Sequence, residues 1–116
     1  MVFAFILLAF CKGGHPMQRR LLAVMPLSAN YLPTYDVEVA HSFEEAKEMI
    51  QSAEMLGTPY ADLDLPVGDE KRFWQFIDWM EKTHRKYSFS IFGVKNSKQF
   101  ITIVQKARKR GFHINT

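Results

Sequence analysis

Two aspartates, Asp62 and Asp64, stand one residue apart in the segment Ala61-Asp62-Leu63-Asp64-Leu65. On a strand, the side-chain period of two puts both carboxylates on the same side of the sheet. Paired carboxylates suit a hard cation such as magnesium, or a coupled pair in which one pKa is raised. The chemistry would be metal-assisted or general acid–base hydrolysis, with Asp62 and Asp64 as candidate catalytic and metal-binding residues. The structural alternative is a pair that is solvated or helps cap the following turn. Further on, Lys95 and Asn96 come just before a segment of helical period. A lysine beside a helix amino end suits a phosphate group, because free amides and the helix dipole both favour an anion there. A solvated lysine and a plain helix cap are the simpler reading of these two candidate ligand-binding residues.

The elements that must position these side chains follow from pattern. Leu21-Leu22-Ala23-Val24-Met25, closed by Pro26, is a continuous apolar run that suits a strand buried on both faces. Residues 27–35 have no helical period and read as a loop, so the first connection lacks a full helix. Asp36-Val37-Glu38-Val39-Ala40 alternates like an edge or half-buried strand. Ser42-Phe43-Glu44-Glu45 is a capping box, with Glu45 expected to reach back to the amide of Ser42. Phe43, Ala46, Met49, Ile50 and Ala53 then recur at helical spacing up to the stop at Gly57.

Residues 60–65 read as a strand halted by Pro66-Val67-Gly68, which places Asp62 and Asp64 at the carboxyl end of the central strand. Open parallel sheets collect ligands beyond that end. Asp69 can cap a helix whose stripe is Phe73, Phe76, Ile77 and Met80, with Trp74 and Trp79 beside it as packing residues. Residues 88–92 read as a strand, and Asn96 or Ser97 caps a last helix with Phe100, Ile103, Val104 and Ala107 on one face. Phe112-His113-Ile114 would be a short final strand. Alternating strands and helices predict a parallel sheet with right-handed crossovers, hence one α/β domain with a short, mostly parallel sheet flanked by helices.

Composition agrees. The chain has 116 residues, 47% of them hydrophobic and 14% aromatic, which suits one packed domain and excludes a disordered or fibrous chain. A single cysteine, Cys11, allows no internal disulfide and reads as a small buried residue in a reducing, cytoplasmic setting. His15, His41, His84 and His113 share no metal-ligand spacing and read as surface or loop residues. Residues 1–16 form an apolar extension, as an added strand or docked arm, before a domain spanning 17–116; Met17 would itself serve as a start. Its apolar stretch, MVFAFILLAF, is too short to span a bilayer and lacks the leading basic residue of a secretory signal, so no membrane span is expected. Leu8-Ala9-Phe10-Cys11 resembles a lipoprotein cleavage site, but Phe10 stands where a small residue is needed.

Taken in order along residues 20–114, Asp62 and Asp64 in their strand, Trp79 near the end of the next helix, and Gly93-Val94-Lys95-Asn96 after a later strand resemble the cyclic-phosphate processing receiver family. That family is a branch of the response-regulator receiver fold, which is flavodoxin-like. Its third strand typically reads Leu-Asp-His-Asp-Leu, and its later motif His-Ser-x-Asn. The missing helix after the first strand also fits. The resemblance implies handling of cyclic phosphate ends on nucleotides or RNA. Two departures weaken catalysis: Met25-Pro26-Leu27 stands where the family has an acidic pair, and Gly93 and Val94 stand where it has His and Ser.

Charge offers a further reading. No acidic residue follows Glu81, whereas nine basic residues follow it, ending in Lys106, Arg108, Lys109 and Arg110. This basic carboxyl-terminal third would suit nucleic acid or an acidic partner, or would be a solvated face whose last turns offset a helix dipole. The expected function is therefore a degenerate, receiver-like phosphate-ligand binding or regulatory module. An active magnesium-dependent cyclic phosphohydrolase and a basic nucleic-acid-binding accessory protein are the alternatives.

Overall fold

In a computed structural model of the protein, the structure describes residues 19–28, 31 and 34–115. The extension 1–16, with Cys11 and His15, lies outside the described residues. The elements are β1 (Arg19–Val24), β2 (Tyr35–Ala40), α1 (Phe43–Met55), β3 (Asp62–Pro66), α2 (Glu70–Lys82), β4 (Ser88–Phe92) and α3 (Ser97–Lys109). The strands form one sheet in the order β2-β1-β3-β4, with every pairing parallel. The protein is thus an α/β domain with a flavodoxin-like strand order. The expected final strand is reduced to one parallel bridge, Phe89 to Ile114.

Local chemistry explains where each helix starts. The Ser42 hydroxyl accepts from the amide of Glu45 at 3.0 Å, Asp69 from Arg72 at 3.3 Å and Asn96 from Gln99 at 2.8 Å. The capping box at α1 differs in one respect from its expected form. The Glu45 carboxylate reaches past Ser42 to the amide of His41, at 2.6 Å. Gly57, at φ +78°, follows the last turn of α1 in the left-handed conformation that glycine tolerates best.

The three described helices pack on one face of the sheet, although the sequence led us to expect helices flanking it. The reason is direction. β2 to β3, β3 to β4 and β4 to Ile114 all step the same way across the sheet. A right-handed crossover that steps the same way always leaves on the same face. Only β1 to β2 steps backwards, and residues 25–34 between them contain no described helix.

The core lies between the sheet and this single helix layer. Leu22, Val24, Ala40, Leu63, Leu65 and Phe89 face Ala46, Ile50, Phe73, Phe76, Ile77, Met80, Ile103 and Ala107 in one buried cluster. Phe89 is its centre, with Phe73 at 6.1 Å and Phe112 at 5.9 Å between ring centroids. Trp79 is half-buried beside it, 5.6 Å from Phe76, with the Arg85 guanidinium 4.9 Å above its ring. Its packing role agrees with the sequence reading. His41, His84 and His113 are exposed, also as expected.

These positions set a stability order. Phe89→Ala should cost about 3–5 kcal/mol, the usual loss for a fully buried aromatic ring. Trp79→Ala should cost less, roughly 2–3 kcal/mol, because its ring keeps part of its solvent contact. Urea denaturation of both variants tests the order, and a larger loss for Trp79→Ala would contradict it.

Candidate functional site

Sheet register decides which side chains share a surface. Leu21 pairs with Asp62 and Asp62 with Ser88, while Ala23 pairs with Asp64 and Asp64 with Ser90. Val37 and Val39 extend the same two rows on β2. Because paired residues in a parallel sheet point the same way, Asp62 and Asp64 share one side, as expected. That side is the face on which none of the described helices packs.

Their position along the strand corrects the sequence reading. Asp62 is the first residue of β3 and Asp64 its middle one, since the strand runs on through fully buried Leu65 to Pro66. Proline is tolerated there because it stands at the strand's end, so the proline that was expected to halt the strand is its last residue. The carboxylates therefore sit behind the carboxyl edge of the sheet, not on it.

Each carboxylate already has partners. Asp62 is only 4% exposed; its Oδ2 accepts from the Arg19 guanidinium at 2.7 Å and its Oδ1 from the Asn115 amide at 3.3 Å. Asp64 Oδ2 accepts from the Tyr31 hydroxyl at 2.8 Å. Burial pushes the Asp64 carboxyl above its ordinary value, and the Tyr31 hydrogen bond works against that shift. Burial, then the facing carboxylate, pushes the Tyr31 hydroxyl far above its usual range, so Tyr31 remains a donor at neutral pH.

This donor set does not fit magnesium. A divalent ion would have to displace or sit against the Arg19 charge, and Asp62 has both oxygens engaged by donors. Among the described residues, no group of three His, Cys, Asp or Glu is arranged to hold a metal ion.

Lys95 and Asn96 lie elsewhere. They line a cleft of about 320 Å3 with Glu70, Lys98, Gln99, Thr102 and Ile103. Asn96 caps α3, and the Lys95 amide donates to Gln99 Oε1 at 2.6 Å, leaving the exposed Lys95 ammonium at the rim. Gln99 Nε2 donates to Glu70 Oε1 at 3.0 Å, and this bond is the main cause holding the Glu70 carboxyl below its ordinary value. Among the described residues no hydrogen bond or ion pair joins Lys95 or Asn96 to Asp62 or Asp64. The cleft is built by α2 and α3, whereas the carboxylates face away from the helices, so the sheet separates the two pairs.

A wider cleft of about 460 Å3 opens between the amino halves of α1 and α2, with Ser42, Lys47, Asp69, Lys71, Arg72 and Gln75 on its walls. Two of its cations are engaged on their own helices, Lys47 with Glu44 and Arg72 with Asp69, both at 3.3 Å. Sequence reasoning missed Arg19, Tyr31 and Asn115 as partners of the carboxylates. Only pairing register could have found Arg19, and nothing local marks Tyr31 or Asn115. Searches of protein-family models, of curated proteins and of solved structures return no match to this chain.

The Asp64 environment predicts a pH signature. Its folded pKa is raised, so its contribution favours the native state at low pH and is lost as pH rises from the ordinary aspartate value of 3.8 through the folded value. Asp64→Asn keeps an acceptor for Tyr31 and removes the half-buried charge. The variant should melt a few degrees higher than wild type at neutral pH, and the difference should vanish below the ordinary aspartate range. Melting curves across pH check this, and a lower neutral-pH melting point for the variant would refute it.

Proposed function

We propose that this domain is a receiver-like, degenerate relative of cyclic-phosphate processing proteins that works as a phosphate-ligand binding or regulatory module. One observation carries the reading: Lys95, Asn96, Lys98 and Gln99 gather at a cleft beside the amino end of α3, on the carboxyl side of a parallel sheet. That is where open α/β sheets take ligands. Lys95 and Lys98 are exposed, and they outnumber the one carboxylate in the cleft, Glu70, which Gln99 holds to one wall. A phosphate group there meets two cations and a helix amino end.

Hydrolysis has less support. Asp62 and Asp64, the candidate acid and base, point away from this cleft and are engaged by Arg19, Asn115 and Tyr31. Among the described residues no imidazole lines this cleft to move a proton near neutral pH. Among the described residues no helix is long and apolar enough to cross a membrane, which is compatible with a cytoplasmic module.

A second reading has its own observation. Lys98, Thr102, Lys106 and Lys109 are all exposed along α3, a basic strip that would suit the phosphates of RNA or another nucleic acid.

The test is titration with inorganic phosphate and with a nucleoside cyclic phosphate, followed by amide chemical shifts. Weak binding, on the order of millimolar, is expected at residues 95–99, and Lys95→Ala with Lys98→Ala should weaken it several-fold. No ring opening is expected with or without magnesium. Metal-dependent turnover abolished by Asp62→Asn or Asp64→Asn would instead establish the hydrolase. Tight, salt-sensitive RNA binding lost in Lys106→Ala with Lys109→Ala would establish the nucleic-acid reading.

A further inference from the structure

Charge is divided between the two ends of the helix layer. At the β2 end, β2 and α1 carry Asp36, Glu38, Glu44, Glu45, Glu48 and Glu54 against a single lysine, Lys47. At the far end, α3 carries Lys98, Lys106, Arg108 and Lys109 and no acidic residue. On the acidic end a groove of about 350 Å3 runs beside α1, with Glu38, Glu45, Glu48, Met49, Ala53 and Leu56 among its lining. Arg20 neutralises Glu38 there, so the net negative charge is that of Glu45 and Glu48. Glu48 is exposed and makes no hydrogen bond or ion pair among the described residues. Leu56, at the end of the groove, is 78% exposed.

The outer flank of α3 has the opposite character. Phe100, Ile103, Val104 and Ala107 turn inward, while Gln99 and Lys106 turn towards α2, where they meet Glu70 and Trp74. The helical period then places Ile101 and Arg108, seven residues apart, on the flank away from α2. Ile101 is 53% exposed, and exposed Arg108 has no side-chain partner among the described residues.

We infer that a second copy of this chain fills the groove, the α3 flank of one copy packing head to tail along α1 of the next. Ile101 meets Met49 and Leu56, and the cations beside it meet Glu45 and Glu48. Charge complementarity selects this occupant: the carboxylates repel nucleic acid and any other phosphate-bearing surface, and the matching basic flank belongs to the chain itself. Shape agrees. Every strand pairing is parallel and each helix returns between strands, so the helices run side by side in one direction, and a copy set edge to edge adds its α1 beside α3 as the next helix of the same layer. The rise of a helix makes the stretch from Lys98 to Arg108 about 15 Å and that from Glu45 to Leu56 about 16 Å. Only one flank of each helix is buried, so the contact is weak, and because it joins opposite edges it extends into short rows instead of closing with two copies.

The test is sedimentation of the full chain, treated with nuclease and held in phosphate-free buffer. In dilute salt the average mass should rise with protein concentration, on the order of two-fold by the near-millimolar range, as a weak contact requires. Salt at about 0.3 M, which shortens the screening length to roughly 6 Å, should return it to the monomer. Glu48→Lys and Arg108→Glu exchange charges at exposed positions; each variant alone should stay monomeric while keeping the wild-type amide spectrum elsewhere. Mixed in equal amounts they should associate again, because each restores the edge that the other lacks. A monomer at all concentrations would overturn the inference, as would association that neither variant weakens or that the mixture fails to restore. A wild-type monomer whose residues 45–56 shift with polylysine would assign the groove to a different basic partner and overturn it too. Neither charge exchange touches Lys95 or Lys98, so failure here leaves the phosphate reading standing.

Discussion

The handedness of the strand connections is the constraint on which the rest of the molecule depends. Three successive crossovers step in the same direction from β2 outward, so α1, α2 and α3 are forced onto one face with their amino ends at the same edge of the sheet. The two clefts between neighbouring helices are a direct result. Among the described residues, the opposite face receives the backward connection from β1 to β2, whose Tyr31 hydroxyl bonds to Asp64. One sheet thus presents two chemically different surfaces, and residues on one have no direct means of acting with residues on the other.

The central strand carries charge on one of those surfaces, and the physics of burial explains its partners. A buried carboxylate is costly unless it is paired and hydrogen-bonded. Asp62 is held by Arg19 from the start of β1 and by Asn115 from the end of the described chain, so one side chain ties both ends of the domain to its middle strand. Removing Arg19 would leave the buried charge uncompensated. These bonds give both aspartates structural partners: both Asp62 oxygens accept from donors, and Asp64 accepts from Tyr31 through Oδ2.

The basic carboxyl-terminal third is also partly structural. Arg85 clamps Glu54 through bonds of 2.8–3.2 Å and lies over Trp79, joining α1 to the connection after α2. Arg110 bonds to Asp78 and Glu81 of α2, and Lys86 donates to the Arg110 carbonyl at 2.9 Å. Lys106 lies 5.3 Å above the Trp74 ring. The tryptophans are therefore seats for cations that lock neighbouring elements against α2. What remains outward without such a seat is Lys82, Lys95, Lys98, Arg108 and Lys109, with Lys106 also exposed above Trp74, a smaller free positive surface than the raw count of basic residues implies.

The residues that make the elements were legible in sequence. Ser42, Asp69 and Asn96 announced the helix starts, the stripes through Ile50, Ile77 and Ile103 announced their buried sides, and the alternation of elements announced a parallel sheet. These are local effects, set by hydrogen bonds and periodicity within a few residues. The shared side of Asp62 and Asp64 was legible for the same reason. Their distance from the carboxyl edge was not, because Pro66 reads as a breaker yet is the strand's last residue, paired with Phe92. Nor was their separation from Lys95 and Asn96, or their capture by Arg19, Tyr31 and Asn115. Those relations join residues as many as 53 positions apart, and only strand order, register and crossover hand decide them.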